Sequence, residues 1–301
     1  MLKNQRLVGA LCVLLSNLTF ALAPTFAKFA YKSNANALGV LIVRFTFAAA
    51  VMLVLRKVVM RGVAWPTRRN VFYLLGLGMF GYAAAALSYF TAIDSIDTGL
   101  AIVIFYCNPL LVVLATWIIY KRRPTGNIVF ALVFTLMGVA ITAGQIGGAS
   151  TTAILLVLLS SVAFALYSLG SAHVLKQVDV LTGVAVVLCG AAIGFWMYWL
   201  ITPSSLAPHF PDRIAGWAYI AALALVSTIF STGMFFAGLR RLGPSLSSIV
   251  ATIEPVLAII AGVLFLGEAL TVAREIGAAL VIGSLLALSV LEARTETVPL
   301  P

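Results

Sequence analysis

Charged side chains are scarce in this 301-residue chain, in which Asp, Glu, Lys and Arg together make up 9% of the residues. Soluble globular proteins carry about 25%. Hydrophobic residues, in contrast, reach 62%. This composition excludes a soluble globular protein and indicates an all-α integral membrane protein, because long apolar segments with few charges are typical of membrane-spanning helices.

Histidine and cysteine are also rare, with two and three residues respectively. Cys12, Cys107 and Cys189 all fall inside apolar segments, without the spacing of metal ligands or of a disulfide framework. The chain lacks a His-Glu-x-x-His motif, a Gly-x-Ser-x-Gly motif and a Walker A loop, since no lysine follows a glycine. We therefore expect no catalytic residues, no bound metal and no cofactor, and we expect that the protein is not an enzyme.

Acidic residues are few as well: nine stand against nineteen basic residues, which gives a formal net charge of +10. In a soluble chain this excess would suggest a nucleic-acid partner. Here the basic residues cluster in short loops between apolar segments, where they face anionic lipid headgroups. We therefore expect the lipid bilayer as the partner, and no nucleic acid.

Apolar segments about 20 residues long are what the chain has in abundance. We count ten and name them TM1 to TM10. Their approximate bounds are TM1 7–31, TM2 37–55, TM3 71–93, TM4 99–120, TM5 128–144, TM6 153–175, TM7 180–201, TM8 217–239, TM9 245–266 and TM10 273–291. The connections are short and leave no room for a soluble domain, so any functional site must lie within the helical bundle.

The distribution of Lys and Arg predicts the orientation. If the N-terminus is cytoplasmic, fourteen basic residues lie on the inner side and only three, Lys32, Arg213 and Arg274, on the outer side. We therefore expect both termini in the cytoplasm and a multi-pass protein of the plasma membrane, which in a bacterium is the inner membrane.

The chain also contains an internal repeat. Residues 13–22 match residues 157–166 at seven of ten positions, with an offset of 144, and Gly39 aligns with Gly183 at the same offset. Phe90 and Pro109 align with Phe236 and Pro255 at an offset of 146. We expect two repeats of five helices each, residues 1–146 and residues 147–301.

Five is an odd number, so the second repeat must cross the membrane upside down relative to the first. Inverted repeats with an interrupted helix at corresponding positions are typical of secondary transporters, in which the substrate site lies near the midplane between the repeats. The interrupted pair here is TM4, with Asn108-Pro109, and TM9, with Glu254-Pro255. We expect a central cavity between the repeats and transport by alternating access.

The second half carries residues that resemble a known family. Its motifs, in chain order, are Arg240-Arg241-Leu242-Gly243-Pro244, Glu254-Pro255-Val256 and Leu266-Gly267-Glu268-Ala269-Leu270-Thr271. They resemble the closing half of EamA-type members of the drug/metabolite transporter superfamily, and the likeness in length and helix arrangement covers nearly the whole chain. The resemblance implies secondary-active transport, often efflux of amino acids, amines or other small metabolites, without ATP or a cofactor. Asn108 and Arg122-Arg123-Pro124-Thr125 in the first half depart from the pattern and leave the cargo open.

Two ionisable residues lie deep in apolar segments. Arg44 stands midway along TM2 and Glu254 near the middle of TM9, where a charge is costly unless it faces a cavity or a partner. Arg44 is therefore a candidate for binding an anionic group of the substrate, or it pairs with Glu254 in a structural ion pair. Glu254 is a candidate for proton coupling. If both charges face one cavity, a zwitterionic amino acid would complement them.

Several other polar side chains are candidates for the substrate site. Asn17 and Asn108 either line the cavity or form hydrogen bonds between helices. Phenols usually keep a polar partner, so Tyr82, Tyr89, Tyr106 and Tyr167 are better candidates than the phenylalanines. Lys28, near the outer end of TM1, can extend to the lipid headgroups as an anchor.

Together with this resemblance, the sequence leads us to expect a transporter that exports amino acids or related small amphipathic metabolites, coupled to protons or working by exchange. The alternative is an uptake permease or facilitator for a vitamin, an amine or another small metabolite. A passive channel or a structural scaffold is a further rival class. The oligomeric state, monomer or homodimer, stays open.

Overall fold

The computed structural model describes residues 2–108, 111, 126, 129–130, 133–135, 137–138, 141, 150–174, 177–203, 207–242, 250 and 253–296. Pro109, residues 122–125 and the pair Gly243-Pro244 lie outside these ranges. So does most of TM5.

Every regular element among the described residues is a helix, as predicted. Six helices are long and apolar enough to cross a membrane, namely Leu7–Tyr31, Ala37–Val59, Arg68–Ser95, Thr151–Ser171, Val180–Ile201 and Ile214–Phe235, and they correspond to TM1, TM2, TM3, TM6, TM7 and TM8. TM4 is described as Thr98–Phe105, TM9 as Glu254–Leu266, and TM10 as Val272–Glu296. TM1 is interrupted at Leu22. A second helix follows from Ala23 to Tyr31, with Pro24 in its first turn.

The equivalent helices TM2 and TM7 lie side by side and run antiparallel. Arg56, near the end of TM2, donates from Nε to the hydroxyl of Thr182, near the start of TM7, at 2.7 Å. At the other end of the pair, the indole of Trp196 in TM7 donates to the hydroxyl of Thr46 in TM2 at 2.9 Å. Because these helices occupy the same place in the two repeats, their opposite directions establish the predicted inversion.

The two repeats interlock through their first helices. TM1 packs along TM8 and contacts TM9, and TM6 packs along TM3 and contacts TM4. The hydroxyl of Ser16 in TM1 donates to the carbonyl of Ser231 in TM8 at 2.8 Å. Ser160, the equivalent of Ser16, donates to the carbonyl of Ala85 in TM3 at 2.7 Å, and Ala85 is equivalent to Ser231 at the offset of 146. The same hydrogen bond is thus made twice.

TM3 and TM8 each contain a π-helical segment, at Leu77–Tyr82 and Leu225–Phe230. Such a segment widens the helix and leaves backbone carbonyls for side chains to reach. The hydroxyl of Thr228 accordingly donates to the carbonyl of Leu223, five residues earlier, at 3.0 Å. Tyr82 and Thr228 are equivalent at the offset of 146, and both lie against TM2.

Glycines allow TM3 and TM7 to approach until their backbones touch. A Cβ on Gly78 would lie 2.1 Å from the carbonyl oxygen of Val187, and a Cβ on Gly190 would lie 2.2 Å from that of Leu75. Small residues that permit such close approach are typical of helix packing in membranes. This contact fixes the position of the π-helical segment of TM3.

Candidate functional site

TM9 is interrupted at Pro255, as predicted, and the described part of TM4 leaves the helix shortly before Asn108, whereas Pro109 lies outside the described residues. The first helical part of TM4 ends at Phe105, and a turn at Tyr106 and Cys107 follows. In TM9, Ile253 lies in a turn and a new helix begins at Glu254, with Pro255 in its first turn. Proline suits that position because the first helical N–H groups have no partner within the helix.

Side chains satisfy the carbonyls that these interruptions free. The amide of Asn17 donates to the carbonyl of Val250 at 3.1 Å. In the other repeat, the hydroxyl of Ser161 lies 3.0 Å from the carbonyl of Phe105 and 3.4 Å from that of Ile104. Asn108 also donates to the carbonyl of Phe105, at 2.9 Å. Without these donors, an unsatisfied carbonyl in an apolar setting would cost several kcal/mol, roughly 2–7 depending on the reference state.

Glu254 stands at the N-terminus of the second part of TM9 and contacts TM4. Its Oε2 accepts a hydrogen bond from the hydroxyl of Tyr106 at 2.9 Å. The partial positive charge of a helix N-terminus stabilises a carboxylate at this position. The acidic group of one repeat is therefore held by a phenol of the other.

Arg44 is buried, with 4% of its surface exposed. Its Nε donates to the hydroxyl of Thr228 in the π-helical segment of TM8 at 2.9 Å. The guanidinium carbon lies 5.0 Å from the ring centroid of Phe45 and 5.1 Å from that of Phe90, so the charge rests on aromatic faces. Among the described residues, its two terminal nitrogens have no hydrogen-bond acceptor.

Aromatic side chains form a closed loop of contacts with Arg44, and Tyr106 links this loop to Glu254. We call the seven rings of this loop the aromatic cluster; they are Phe45, Tyr82, Tyr89, Phe90, Phe105, Phe164 and Tyr167. Consecutive ring centroids lie 5.1 to 5.9 Å apart, and the rings of Tyr82 and Tyr167 are stacked. Arg44 closes the loop between Phe45 and Phe90. Tyr106, which binds Glu254, adjoins it at Phe105, at 6.5 Å between centroids.

The hydroxyl of Tyr89 is a polar group within this apolar surrounding. Tyr89 is buried, and among the described residues its hydroxyl has no hydrogen-bond partner. Buried polar groups are normally hydrogen-bonded, and an exception requires an explanation. Tyr89 therefore offers a hydroxyl that no described residue uses.

The described arrangement can recognise a molecule with two polar ends and an apolar body. A guanidinium whose two terminal nitrogens are unused matches a carboxylate in a bidentate geometry. Aromatic faces accept apolar groups and cations. The carboxylate of Glu254 can accept a proton or an ammonium group.

Glu268 lies beside the start of TM4, at one end of the bundle. Its Oε1 accepts hydrogen bonds from the backbone N–H of Thr98 at 2.6 Å and from the hydroxyl of Thr98 at 2.9 Å, and its Oε2 accepts from the N–H of Gly99 at 3.1 Å. Lys28 adds an ion pair at 3.5 Å. The carboxylate of TM9 thus caps the N-terminus of TM4 and joins three helices.

Gly267 makes this cap possible. Its φ of +70° places the backbone in the left-handed region, and the chain turns back so that the N–H of Glu268 donates to the carbonyl of Gly262 at 3.2 Å. Glycine adopts this conformation without steric cost.

The predicted site residues divide into two groups. Arg44, Glu254, Tyr82, Tyr89, Tyr106 and Tyr167 come together at the aromatic cluster, whereas the amides of Asn17 and Asn108 bind backbone carbonyls at the helix interruptions. The alternative for Arg44, an ion pair with Glu254, is not formed: the two side chains bind Thr228 and Tyr106 instead. That these residues bind substrate stays a prediction.

We had expected Lys28 to extend to the lipid headgroups, but it binds groups within the bundle instead. Its Nζ donates to the carbonyl of Ile96 at 2.8 Å and contacts Glu268. The sequence prediction also missed Phe45, Phe164 and Thr228. Phe20 and Phe164 are equivalent in the repeat, and this was the available signal for Phe164. No signal in the sequence indicated Thr228.

Comparison with known proteins identifies the relatives of this chain. A model of the EamA-like transporter family matches twice, at residues 7–144 and 151–290. The uncharacterized transporter YcbK of Bacillus subtilis is 22% identical over 91% of this chain and 90% of its own length. An uncharacterized transporter of Archaeoglobus fulgidus is 25% identical over 89% and 93%. A solved crystal structure with 22% identity covers 98% of this chain and 99% of its own, with a TM-score of 0.62.

Proposed function

Because the chain belongs to the EamA-like transporter family, we propose that it is a secondary-active transporter that exports amino acids or related small amphipathic metabolites by alternating access. The substrate lies against the aromatic cluster, between Arg44 and Glu254. The observation that carries this proposal is the buried guanidinium of Arg44, which rests on two aromatic rings and keeps its two terminal nitrogens without an acceptor among the described residues.

Arg44 binds the anionic group of the substrate. Thr228 holds Nε, so the guanidinium edge that carries the terminal nitrogens is left for a carboxylate. The buried phenol of Tyr89, which neighbours Phe90, supplies a further donor. Together these groups favour a substrate with a carboxylate attached to an apolar body.

Glu254 is the second polar contact and the coupling residue. A carboxylate held by one phenol in an apolar helix bundle is stabilised far less than in water. Its charge is therefore compensated by a proton or by the ammonium group of the substrate. Exchange of one for the other, as the two repeats rock, couples the transport of substrate to that of protons.

The Glu268 cap belongs to the state in which its end of the bundle is closed. The excess of basic residues predicts that this is the outer end and that both termini lie in the cytoplasm of a bacterial cell. Opening the outer end requires Glu268 to leave the N–H groups of Thr98 and Gly99. Closing the inner end at the same time completes the alternating-access cycle.

Counterflow in proteoliposomes tests the proposal. Vesicles loaded with an unlabelled amino acid should accumulate the labelled form against its gradient when they contain the wild-type protein. Arg44→Ala should abolish counterflow, while the exposed-site variant Arg213→Ala should retain it. Ion currents without counterflow for amino acids, amines or vitamins would instead identify a channel. Counterflow restricted to amines or vitamins would favour a permease or facilitator for those compounds.

A further inference from the structure

A cleft of about 400 Å³ lies at the end of the bundle where TM2 leaves and TM3 begins, and none of its lining residues belongs to the aromatic cluster. Trp65, Pro66, Arg68, Val71 and Phe72 line it. Its walls are mostly apolar, and one guanidinium stands at its rim. The proposed transport site does not include it.

Buried Arg56 holds the loop that forms one wall of the cleft. Its Nη2 donates to the carbonyls of Val63 and Ala64 at 3.3 Å each, and its Nε is fixed by Thr182. The ring of Trp65 stacks on the guanidinium, with 3.8 Å from the centroid to Cζ. The cleft is therefore built into the fold by a buried charge, and Trp65 still exposes half of its surface.

The segment that contains the cleft-lining residues is basic. Lys57, Arg61, Arg68 and Arg69 are exposed, and the chain contains no Asp or Glu before Asp94. The loop between TM6 and TM7 contacts TM3, because the amide of Asn70 donates to the side-chain oxygen of Gln177 at 3.4 Å. This loop carries one carboxylate. That residue, Asp179, already accepts a hydrogen bond from the N–H of Thr182 at 2.8 Å.

The apolar side of the cleft opens toward lipid. Phe72, with 71% of its surface exposed, belongs to a helix that crosses the membrane. Arg68 and Arg69 form the first turn of that helix, after the cap by Thr67. A helix N-terminus flanked by arginines attracts phosphate, and clustered basic residues next to a membrane helix recognise anionic lipids.

We propose that this cleft binds an anionic phospholipid, with the phosphate against Arg68 and the glycerol ester region against Trp65 and Phe72. The apolar lining favours a lipid over a free phosphate ion, because a soluble anion would leave most of the cleft wall without a partner. The site is separate from the transport site, so its occupancy stabilises the folded bundle whatever the cargo is.

Thermal unfolding of the full-length protein in vesicles tests the proposal. Phosphatidylglycerol added to phosphatidylcholine should raise the unfolding midpoint of the wild type by several degrees, because a ligand that binds the folded state stabilises it. The shift should fall below half in Arg68→Gln and be largely restored in Arg68→Lys. Arg241→Gln is the matched control: it removes an exposed charge at the same end of the bundle and should keep the full shift.

A second measurement follows the lipid directly. Phosphatidylglycerol with brominated acyl chains should quench wild-type tryptophan fluorescence more than brominated phosphatidylcholine does, and the difference should vanish in Trp65→Phe. An equal midpoint shift in wild type and Arg68→Gln would overturn the proposal. So would an equal stabilisation by inorganic phosphate or glycerol 3-phosphate in phosphatidylcholine vesicles, which would assign the cleft to a soluble anion.

Discussion

Asn17 and Ser161 occupy the same position in the two repeats and cap equivalent interruptions in the opposite repeats. Asn17 in TM1 donates to the carbonyl of Val250 in TM9, and Ser161 in TM6 reaches the carbonyls of Ile104 and Phe105 in TM4. Ile104 and Val250 are themselves equivalent. The interruption of each proline helix is therefore supported by the first helix of the other repeat, so the site cannot be assembled from one repeat alone.

Replacing Asn17 by Leu should destabilise the protein by about 1 kcal/mol, since the average hydrogen bond between membrane helices contributes roughly 0.6 kcal/mol and an unsatisfied carbonyl costs more. Ser161→Ala should have a smaller effect, because Asn108 still caps Phe105. Thermal unfolding in detergent measures both. Equal stability of Asn17→Leu and wild type would contradict the capping role.

Replacing Arg44 by Lys should reduce transport by roughly ten-fold or more, which corresponds to about 1.4 kcal/mol of lost binding. The charge is kept, but the planar group that rests on Phe45 and Phe90 and presents two donors in a fork is lost. Initial rates of counterflow at several substrate concentrations measure the effect, which should appear mainly in the apparent affinity. Arg213→Lys, an exposed site, serves as the control, and equal loss in both variants would remove the argument for a specific site.

Replacing Glu254 by Gln should uncouple transport from the proton gradient. The amide still accepts a hydrogen bond from Tyr106 but cannot exchange a proton, so exchange of substrate should persist while uphill transport is lost. Uptake driven by an imposed pH gradient, compared with exchange at equal pH, separates the two activities. Tyr106→Phe should retain coupling, because it keeps the carboxylate. Gradient-driven uptake by Glu254→Gln would show that the coupling group is another residue.

Replacing Glu268 by Gln should loosen the closed end of the bundle. The cap comprises three hydrogen bonds to an ionised carboxylate, and such bonds contribute roughly 1.5–3 kcal/mol each when measured singly. We expect a lower unfolding midpoint and faster hydrogen exchange in the peptide that contains Thr98 and Gly99. Glu275→Gln, an exposed carboxylate on TM10, is the matched control. Unchanged exchange in Glu268→Gln would mean that the cap does not hold this end closed.

Replacing Gly78 by Ala should destabilise the bundle by about 1–3 kcal/mol or more, in the range of overpacking a helix contact. The new methyl group would lie 2.1 Å from the carbonyl oxygen of Val187, where backbone cannot yield. Gly76 provides the matched control two residues away, since a Cβ there meets nothing within 4 Å. Gly76→Ala should be neutral or stabilising by up to about 1 kcal/mol. Similar midpoints for both variants would contradict the close approach of TM3 and TM7.

The fold was largely predictable because its signals are local. An apolar segment of about 20 residues identifies a spanning helix without knowledge of its neighbours, and an odd number of helices per repeat implies inversion. Arg44 and Glu254 stand out for a similar reason, since a charge in an apolar helix is costly wherever the helix packs.

The pairing of side chains could not be predicted, because it depends on which distant segments meet. Glu268 and Thr98 are 170 residues apart, and nothing in either segment indicates the other. Phe45 and Phe164 were missed because a phenylalanine in a membrane helix packs as well against lipid as within the aromatic cluster. Lys28 was misjudged for a related reason: its distance from the helix end suggested an exit to the headgroups, whereas a carboxylate lies closer.

The hydrogen bonds from TM1 to TM8 and TM9 also constrain biosynthesis. Ser16 and Asn17 find their acceptors 215 and 233 residues later in the chain. The ribosome must therefore translate TM8 and part of TM9 before TM1, which is inserted first, can form these hydrogen bonds. Until then the hydroxyl of Ser16 and the amide of Asn17 lack these partners in the bilayer. We expect the chain to be most susceptible to quality-control proteases during that interval.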